Sequence, residues 1–512
     1  MREDGVIVIG AGPGGLAIAI LLASAGMRVR IFERLPVVGG RTSTIQADGF
    51  RFDLGPTFFL YPRVLDEIMR VAGTSLRDEM EMVRLDPQYR IEFGDGARIE
   101  ATPNVPAMQS QIAGLCPEDA EGFARFLSEN RRKLSLSEPC LENAFSSWRD
   151  LLRPNVLRIL PLLHPFQTLD RYLQRFFSDP RVRLAFSFQS KYLGMSPFRC
   201  PSLFSILSFL EYEHGVWHPI GGCGAVSRAM ARVARQLGVE IHLDEPVEEI
   251  LFEKRRALGV RTARGVSKGD AVVINADFAH AMRKLVPNTL RRRWTDERIA
   301  RKRFSCSTFM LYLGVEGTFE EMPHHTICIS EDYEQSLEDI EHRKVVPTSP
   351  SFYVQNACVT DPTLAPRGCS ALYMLAPVPH QNPNVDWKRE HPYFRRLLLQ
   401  RAAKAGFPDV ERRIRFERVI TPADWEHRYA LHRGATFNLA HTLGQMLHLR
   451  PQNRFEDLDG LYLVGGGTHP GSGLPVIYEG ARITSRLLCD DLGVAFPEMP
   501  PRENPAMATM VR

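Results

Sequence analysis

An α/β fold with more than one core is predicted by three features of the sequence. A strand–glycine turn–helix–strand unit occupies residues 6–33, and a second strand and glycine-rich turn run into a helix at 460–492. The 512-residue length is enough to bury two cores. In the first unit, Val6-Ile7-Val8-Ile9 is a short apolar run suited to a parallel strand covered on both faces. It leads into Gly10-Ala11-Gly12-Pro13-Gly14-Gly15, and Leu16 to Ala25 continues as an apolar, alanine-rich helix that Gly26 stops. Val29-Arg30-Ile31-Phe32 is the next strand, with Glu33 at its end. In such a unit Gly10 allows the tight turn, Gly12 lets a pyrophosphate approach the backbone, and Gly15 lets helix and strand pack closely. The helix N-terminus offers free N–H groups and a positive dipole end to phosphates. Glu33 is placed to accept hydrogen bonds from adenosine ribose hydroxyls. A carboxylate there repels a 2′-phosphate, which disfavours NADP and leaves FAD and NAD open.

The residues after Glu33 separate those two cofactors. Val38-Gly39-Gly40-Arg41 precedes Gly49-Phe50-Arg51-Phe52-Asp53-Leu54-Gly55-Pro56-Thr57. The pattern resembles that of glutathione-reductase-type flavoproteins, which implies a GGR turn along the FAD diphosphate with Arg41 on the flavin side. Toward the C-terminus, Gly460 to Val464 reads as a strand, Gly465 to Pro475 as a glycine-rich turn, and Val476 to Leu492 as a helix with Ile477, Ala481, Thr484 and Leu488 at helical spacing. Two such units so far apart imply that both ends of the chain build one nucleotide domain. Between them, Gly222 to Leu237 reads as a helix, and the runs 239–243, 247–252, 259–262 and 270–276 as strands continuing one sheet. Residues from about 300 to 425 form a second unit, with strands at Thr308–Val315 and Ser370–Ala376.

Composition narrows the class. Charged residues make up 24% and hydrophobic ones 44%, ordinary for a folded soluble protein. A net charge of +4 gives no argument for nucleic acid. The sequence has no uninterrupted apolar run of membrane-spanning length, and its first strand begins too early for a signal peptide. Nine dispersed cysteines without CxxC spacing predict reduced thiols in a cytosol and no metal site. No GxSxG elbow or HExxH occurs, which argues against hydrolase chemistry, and His324-His325 reads as a loop pair. His469 stands inside the flavin-facing turn, either working there or bracing it.

The chain resembles the FAD-dependent phytoene desaturase family of carotenoid biosynthesis, the bacterial and fungal type that includes dehydrosqualene desaturases. The resemblance rests on the N-terminal fingerprint, the 49–57 stretch, Gly467-Thr468-His469-Pro470-Gly471-Ser472-Gly473-Leu474-Pro475, Gly215-Val216-Trp217-His218-Pro219-Ile220-Gly221-Gly222, and Tyr192-Leu193-Gly194-Met195-Ser196-Pro197. It implies a glutathione-reductase-type FAD-binding Rossmann domain built from 1–95, 216–290 and 431–495. An α+β substrate domain at 291–430, a helical cap or membrane-facing region at 96–215 and a Pro-rich, disordered tail at 496–512 complete the expected organisation. FAD would be held non-covalently by Gly10, Gly12, Gly14, Gly15, Glu33, Arg34, Gly39, Gly40, Arg41, Gly55, Pro56 and Thr57, by Val247 through its backbone at adenine, and by Gly465, Gly466, Thr468, Gly473, Leu474, Pro475 and Val476. The implied reaction introduces double bonds into a long isoprenoid, with hydride passing to the flavin. One complete dinucleotide fingerprint leaves no nicotinamide pocket, so oxygen or a quinone is the expected electron acceptor. The catalytic base is unassigned. The same fold also hosts carotenoid oxidases and ketolases, isomerases, saturases, amine oxidases and non-catalytic escort proteins, which stay open as alternatives.

Residues 148–183 admit two readings. Trp148, Leu151, Leu152, Leu157, Leu160 and Phe166 are interleaved with Arg149, Arg153, Arg158, Arg171 and Arg175, and prolines 154, 161 and 165 break the stretch into short pieces. It is either a buried helical cap or an interfacial surface through which a cytoplasmic, peripherally bound enzyme collects a water-insoluble polyene. The basic run Arg291-Arg292-Arg293 with Arg298, Arg301, Lys302 and Arg303 reads as a solvated helix face.

Overall fold

A computed structural model describes residues 4–501. The alternation of the first strand decides the layering. Val6 and Val8 face one side and pack with the helices Pro13–Ser24, Cys223–Gln236 and Leu474–Leu492. Ile7 and Ile9 face the other side, toward Ile250, Ala257 and Val260. The sheet between is five-stranded and parallel, in the order Glu240–His242, Val29–Phe32, Val6–Ile9, Ala271–Ile274, Leu461–Leu463. Strands buried on both faces need the uninterrupted apolar runs seen in the sequence.

The strands expected to continue one sheet over 239–276 divide between two. Glu240–His242 and Ala271–Ile274 join the parallel sheet, whereas Val247–Glu253, Arg256–Thr262 and Gly265–Lys268 form an antiparallel meander stacked on its second face. Their two-residue connections are hairpin length, and parallel pairing needs a crossover of a dozen residues or more.

A seven-stranded sheet forms the second unit, in the order Ile414–Ile420, Ser307–Glu316, Cys369–Val378, Phe352–Asn356, His325–Ile329, Tyr89–Phe93, Arg98–Ala101. The Tyr89–Phe93 strand, from the N-terminal part of the chain, pairs parallel with His325–Ile329. Helix Trp387–Lys404 covers one face of this sheet, through Phe394 and Leu398 on Phe309, Leu311 and Met374. The opposite face presents Met310, Tyr312 and Tyr373 to Phe50 and Phe52. A Cβ at Gly314 would stand 2.6 Å from the Phe50 ring, so only glycine lets this close approach form.

Helices Val105–Leu115, Ala120–Leu141, Pro180–Ala185 and Ser205–His214 gather round an aromatic core of Phe123, Phe126, Phe176, Phe177, Phe186 and Tyr212. Pro161 does not break its segment: helix Pro154–Leu163 runs through it, with Pro154 in the first turn. The carbonyl that loses its partner there belongs to Leu157, 48% exposed and open to water. Among the described residues no helix is long and apolar enough to cross a membrane. Of the expected tail, Phe496 and Met499 pack against the helical face of the nucleotide unit, with the Arg486 guanidinium 5.2 Å above the Phe496 ring; 502–512 lies outside the described residues.

The basic run at 291–303 is a solvated face only in part: Arg292, Arg298, Arg301 and Arg303 are exposed. Arg291 is 4% exposed, donating to the Trp294 carbonyl and Asp296, and Arg293 donates to the His448 carbonyl beside Glu456. Only Asp296–Ala300 is helical.

Candidate active site

Two glycine-rich turns converge on one side chain, Asn275, at the end of the Ala271–Ile274 strand, and a third is tied to the first of them. Asn275 Nδ2 donates to the Gly10 carbonyl at 3.0 Å. A Cβ at Gly15 would lie 2.2 Å from the Gly10 oxygen, one at Gly12 3.1 Å from Asn275 Nδ2, and one at Gly465 3.4 Å from Asn275 Oδ1. The second turn is tied in by the Gly39 N–H, which donates to the Ala11 carbonyl at 2.8 Å. Gly39 has φ +105° and Gly40 φ +53°, conformations that favour glycine. Gly14 makes the same approach: a Cβ there would lie 2.8 Å from Asn275 Oδ1, and 3.1 Å from Val464 and Ile477, so it also serves the packing of the two glycine-led helices.

Glu33 is 5% exposed and accepts from the Ala11 and Leu35 N–H groups, both at 2.8 Å. Burial pushes its carboxyl pKa up against the pull of those bonds. It is braced from behind, since the Glu245 N–H donates to the Glu33 carbonyl, and Val247 comes two residues later at the start of its strand. Arg34 is exposed and points away, donating to the Arg428 carbonyl.

Arg41, Tyr192 and Tyr353 are each half-buried. The Arg41 guanidinium donates to the Thr436 carbonyl, and burial lowers its pKa against the field of Asp277. Asp277 in turn caps helix Phe278–Leu285 through the His280 N–H and accepts from Asn438 Nδ2 at 2.8 Å. The seven-stranded sheet grips the Gly55-Pro56-Thr57 loop by three tyrosines. Tyr312 donates to the Leu54 carbonyl and Tyr373 to the Gly55 carbonyl at 2.7 Å, and the Tyr353 hydroxyl lies 2.8 Å from Thr57 Oγ1. Asp53, ahead of this loop, accepts from the Gly224 N–H at 3.1 Å and so caps the helix after the Gly221-Gly222 turn.

The C-terminal turn is held by Arg450, a residue with no exposed surface. Its guanidinium donates to the carbonyls of Gly466 at 2.6 Å, Thr468 at 3.2 Å, and Leu439 and Gln445 at 3.3 Å. The Thr468 N–H donates to the Gly465 carbonyl. His469 braces the turn: its Nε2 lies 3.0 Å from the Asn143 carbonyl, its ring packs on Phe145, and burial lowers its pKa to about 4. Leu474, Pro475 and Val476 open helix Leu474–Leu492, whose N-terminus comes directly after Gly473 (φ +116°), with no neighbour within 4 Å of a Cβ there. Asn275, Asp277, Arg450 and the three tyrosines are not anticipated from sequence. The Asn-Ala-Asp run ending an apolar strand is the one local signal for the first two.

A cradle that a Cβ would narrow at Gly12 and Gly465, two helix N-termini and a buried arginine fit a dinucleotide carrying a flavin. Fold and site together define a flavin-dependent oxidoreductase with FAD as cofactor. The chain belongs to the flavin-containing amine oxidoreductase family, whose profile matches residues 13–489. It is 41% identical to a 4,4′-diapophytoene desaturase (4,4′-diapolycopene-forming) of a Methylomonas species, over 96% of this chain and 97% of that protein. It is 40% identical to an all-trans-zeta-carotene desaturase of Myxococcus xanthus, over 97% and 96%. Among solved structures, a putrescine oxidase shares the fold at TM-score 0.63 and 15% identity over 95% of this chain and 98% of that one. An oxidoreductase from Methanosarcina mazei does so at 0.59 and 19%, over 95% and 99%.

Proposed function

We propose that this chain is an FAD-dependent desaturase that introduces double bonds into a long isoprenoid such as phytoene or dehydrosqualene, in carotenoid biosynthesis. The observation that carries the reading is its 41% identity to a diapophytoene desaturase along nearly the full length of both chains. When bound, FAD would supply the acceptor for a hydride leaving an allylic carbon. The chain's own residues do the rest. Gly10, Gly12, Gly15, Gly39 and Gly40 admit the diphosphate, Glu33 holds the ribose, Val247 meets adenine, and Arg41 with the Gly465–Val476 turn bounds the flavin. The Gly55-Pro56-Thr57 loop, fixed by its tyrosines, forms the floor on which an extended chain is laid. In this reading 1–95, 216–290 and 431–495 form the FAD domain, 291–430 the substrate domain and 96–215 a helical cap, except that strands Tyr89–Phe93 and Arg98–Ala101 join the substrate-domain sheet. Electrons leave to oxygen or a quinone, because only one dinucleotide fingerprint is complete. Anaerobic addition of the polyene to purified protein should bleach the flavin absorbance and yield product with added conjugation. Flavin-loaded protein that bleaches with an amine and not with either polyene refutes the reading.

The substrate's insolubility requires collection from a bilayer, and one surface suits that task. Phe166 is 97% exposed, Trp148 60%, Leu152 57%, Leu157 48% and Leu160 40%, all in the helical region. Arg149, 5.9 Å above the Trp148 ring, and Arg158 are exposed toward lipid phosphates, while Arg153 and Arg175 are engaged by Asp150 and Glu129. We assign this face to peripheral membrane binding by a cytoplasmic protein.

A further inference from the structure

Desaturation removes two hydrogens from neighbouring carbons. One leaves as a hydride with its electron pair; the other leaves as a proton, and the electrons of its C–H bond become the new π bond. FAD takes the first. The second must reach water from an apolar interior, and a chain of buried protonatable groups leads away from the flavin-facing loop.

The Tyr353 hydroxyl bridges Thr57 Oγ1 at 2.8 Å and His325 Nδ1 at 2.7 Å. His325 has no exposed surface and is covered by the Phe58 ring, stacked on it at 4.1 Å. Its ring lies 4.4 Å from that of His324, which lies 4.6 Å from that of His218. His324 Nδ1 is 2.8 Å from Thr360 Oγ1, and these two residues line a surface pocket of about 580 Å³. Asp86, Glu100, Glu320 and Glu321 stand round that pocket, with Arg90 paired to Glu100. His218 Nε2 meets the Asp361 carboxylate at 3.3 Å, and Gln355 Nε2 lies 3.2 Å from His324 Nε2. The pair read from sequence as a loop is therefore buried, with His325 opening a strand beneath the site.

His325 Nε2 and His218 Nδ1 are buried without a hydrogen-bond partner. Burial also holds His324 and His325 neutral, with pKa values well below the usual 6.5, so each keeps one unprotonated nitrogen: His325 Nδ1 faces the Tyr353 hydroxyl, and His324 Nε2 accepts from the Gln355 amide. Weak bases suffice for this task, because a C–H beside the cationic centre left by hydride loss is strongly acidic.

We infer that Tyr353, His325, His324 and Thr360 form the route by which the substrate's proton reaches the surface pocket, with His218 and Asp361 alongside. The inference rests on the desaturase reading above. The Tyr353 oxygen takes the proton as its own passes to His325 Nδ1. His325 releases its Nε2 proton toward His324, whose ring centroid is 4.4 Å away, as the Gln355 amide yields the His324 Nε2 lone pair. His324 then delivers a proton to water in the pocket.

The test is an anaerobic single turnover of flavin-loaded enzyme with liposome-embedded polyene, in weak buffer with a pH dye. Flavin absorbance and proton release are monitored together. Wild type should bleach and release one proton per flavin. Tyr353→Phe and His325→Gln should retain flavin after desalting and release the proton at least tenfold more slowly. His324→Ala should be slowed likewise and rescued by imidazoles entering the pocket, more strongly as their basicity rises. In flavin-free protein labelled with 15N-histidine, His325 should be the Nε2–H tautomer, and Tyr353→Phe should disturb it. Wild-type proton release in His324→Ala and Thr360→Val, with no response to imidazole, overturns the relay even if His325→Gln fails to fold. Absence of bleaching in flavin-loaded wild type refutes the desaturase reading itself, and the relay with it.

Discussion

Replacing Arg450 by methionine keeps most of the side-chain volume and removes every donor beneath the C-terminal turn. The two shortest contacts run to the Gly466 and Thr468 carbonyls at 2.6 and 3.2 Å, within the turn that bounds the candidate flavin site. Hydrogen bonds from a charged donor contribute about 1.5–3 kcal/mol each, so the pair accounts for about 3–6 kcal/mol. Part of that is offset by burying the cation. No carboxylate pairs with Arg450 among the described residues, and desolvation alone lowers its pKa to about 9. The expected net loss is about 2–4 kcal/mol. Urea denaturation should therefore show a lower midpoint in flavin-free Arg450→Met, and equilibrium dialysis a flavin Kd raised at least tenfold. Arg450→Lys should recover only part of either, because an ammonium cannot span four carbonyls in different directions. A midpoint within about 0.5 kcal/mol of wild type, with unchanged flavin affinity, refutes the argument that this one guanidinium organises the turn.

Other consequences are equally direct. Gly12→Val should abolish flavin retention on desalting, since its Cβ would stand 3.1 Å from Asn275 Nδ2 and its methyls would enter the phosphate path; full flavin content would show that this loop does not hold the cofactor. Glu33→Ala should weaken flavin binding by about 1–3 kcal/mol, measured by titration of apoprotein. His380, His432 and His469 are held near pKa values of about 4 by burial. The unfolded chain binds their protons first, so stability should fall as pH drops from 6.5 toward 4, by up to about 1.4 kcal/mol per pH unit for each. Glu211, raised to about 7, acts in the opposite sense from pH 7 down to 4.5. His214 is also held at about 4, and His324, His325 and His441 well below 6.5, against Glu211 and the raised carboxyls of Glu33, Asp53, Asp277, Glu456 and Glu479. Urea midpoints should decline from pH 6.5 to 5 where the histidines dominate, and a flat profile would contradict it. Trp148→Ser with Phe166→Ser should cut binding to anionic liposomes at least tenfold, while Arg149→Gln with Arg158→Gln should weaken it by about 1 kcal/mol per charge and only at low salt. Rapid anaerobic flavin reduction by NADH without polyene would refute the choice of oxygen or quinone as acceptor.

The nucleotide unit is legible because its signals are local. Strand, glycine turn, helix and acid succeed one another within 6–33, and each residue's role is set by its neighbours in the chain. The same holds for the turn at 465–475. Legibility fails where a residue's partner is distant in sequence. Asn275 meets Gly10 across 265 positions and Tyr373 meets Gly55 across 318. Nothing beside Arg450 marks it as the support of a turn. The basic run at 291–303 misleads for a related reason: charge density along the chain says nothing about whether carbonyls and carboxylates from residues 448–457 will surround it.

By itself, then, the sequence determined what periodicity and backbone geometry control: an α/β fold, two glycine-led helices at one dinucleotide, and a family resemblance along the whole chain. Tertiary structure decided how the strands after residue 239 divide between two sheets, which arginines are buried, and that His218, His324 and His325 meet beneath the Thr57 loop. Those outcomes depend on the free energy of bringing distant side chains out of water together. A buried polar group is tolerated only where another part of the chain supplies its partner, and that partner is fixed by the fold rather than by its neighbours in sequence.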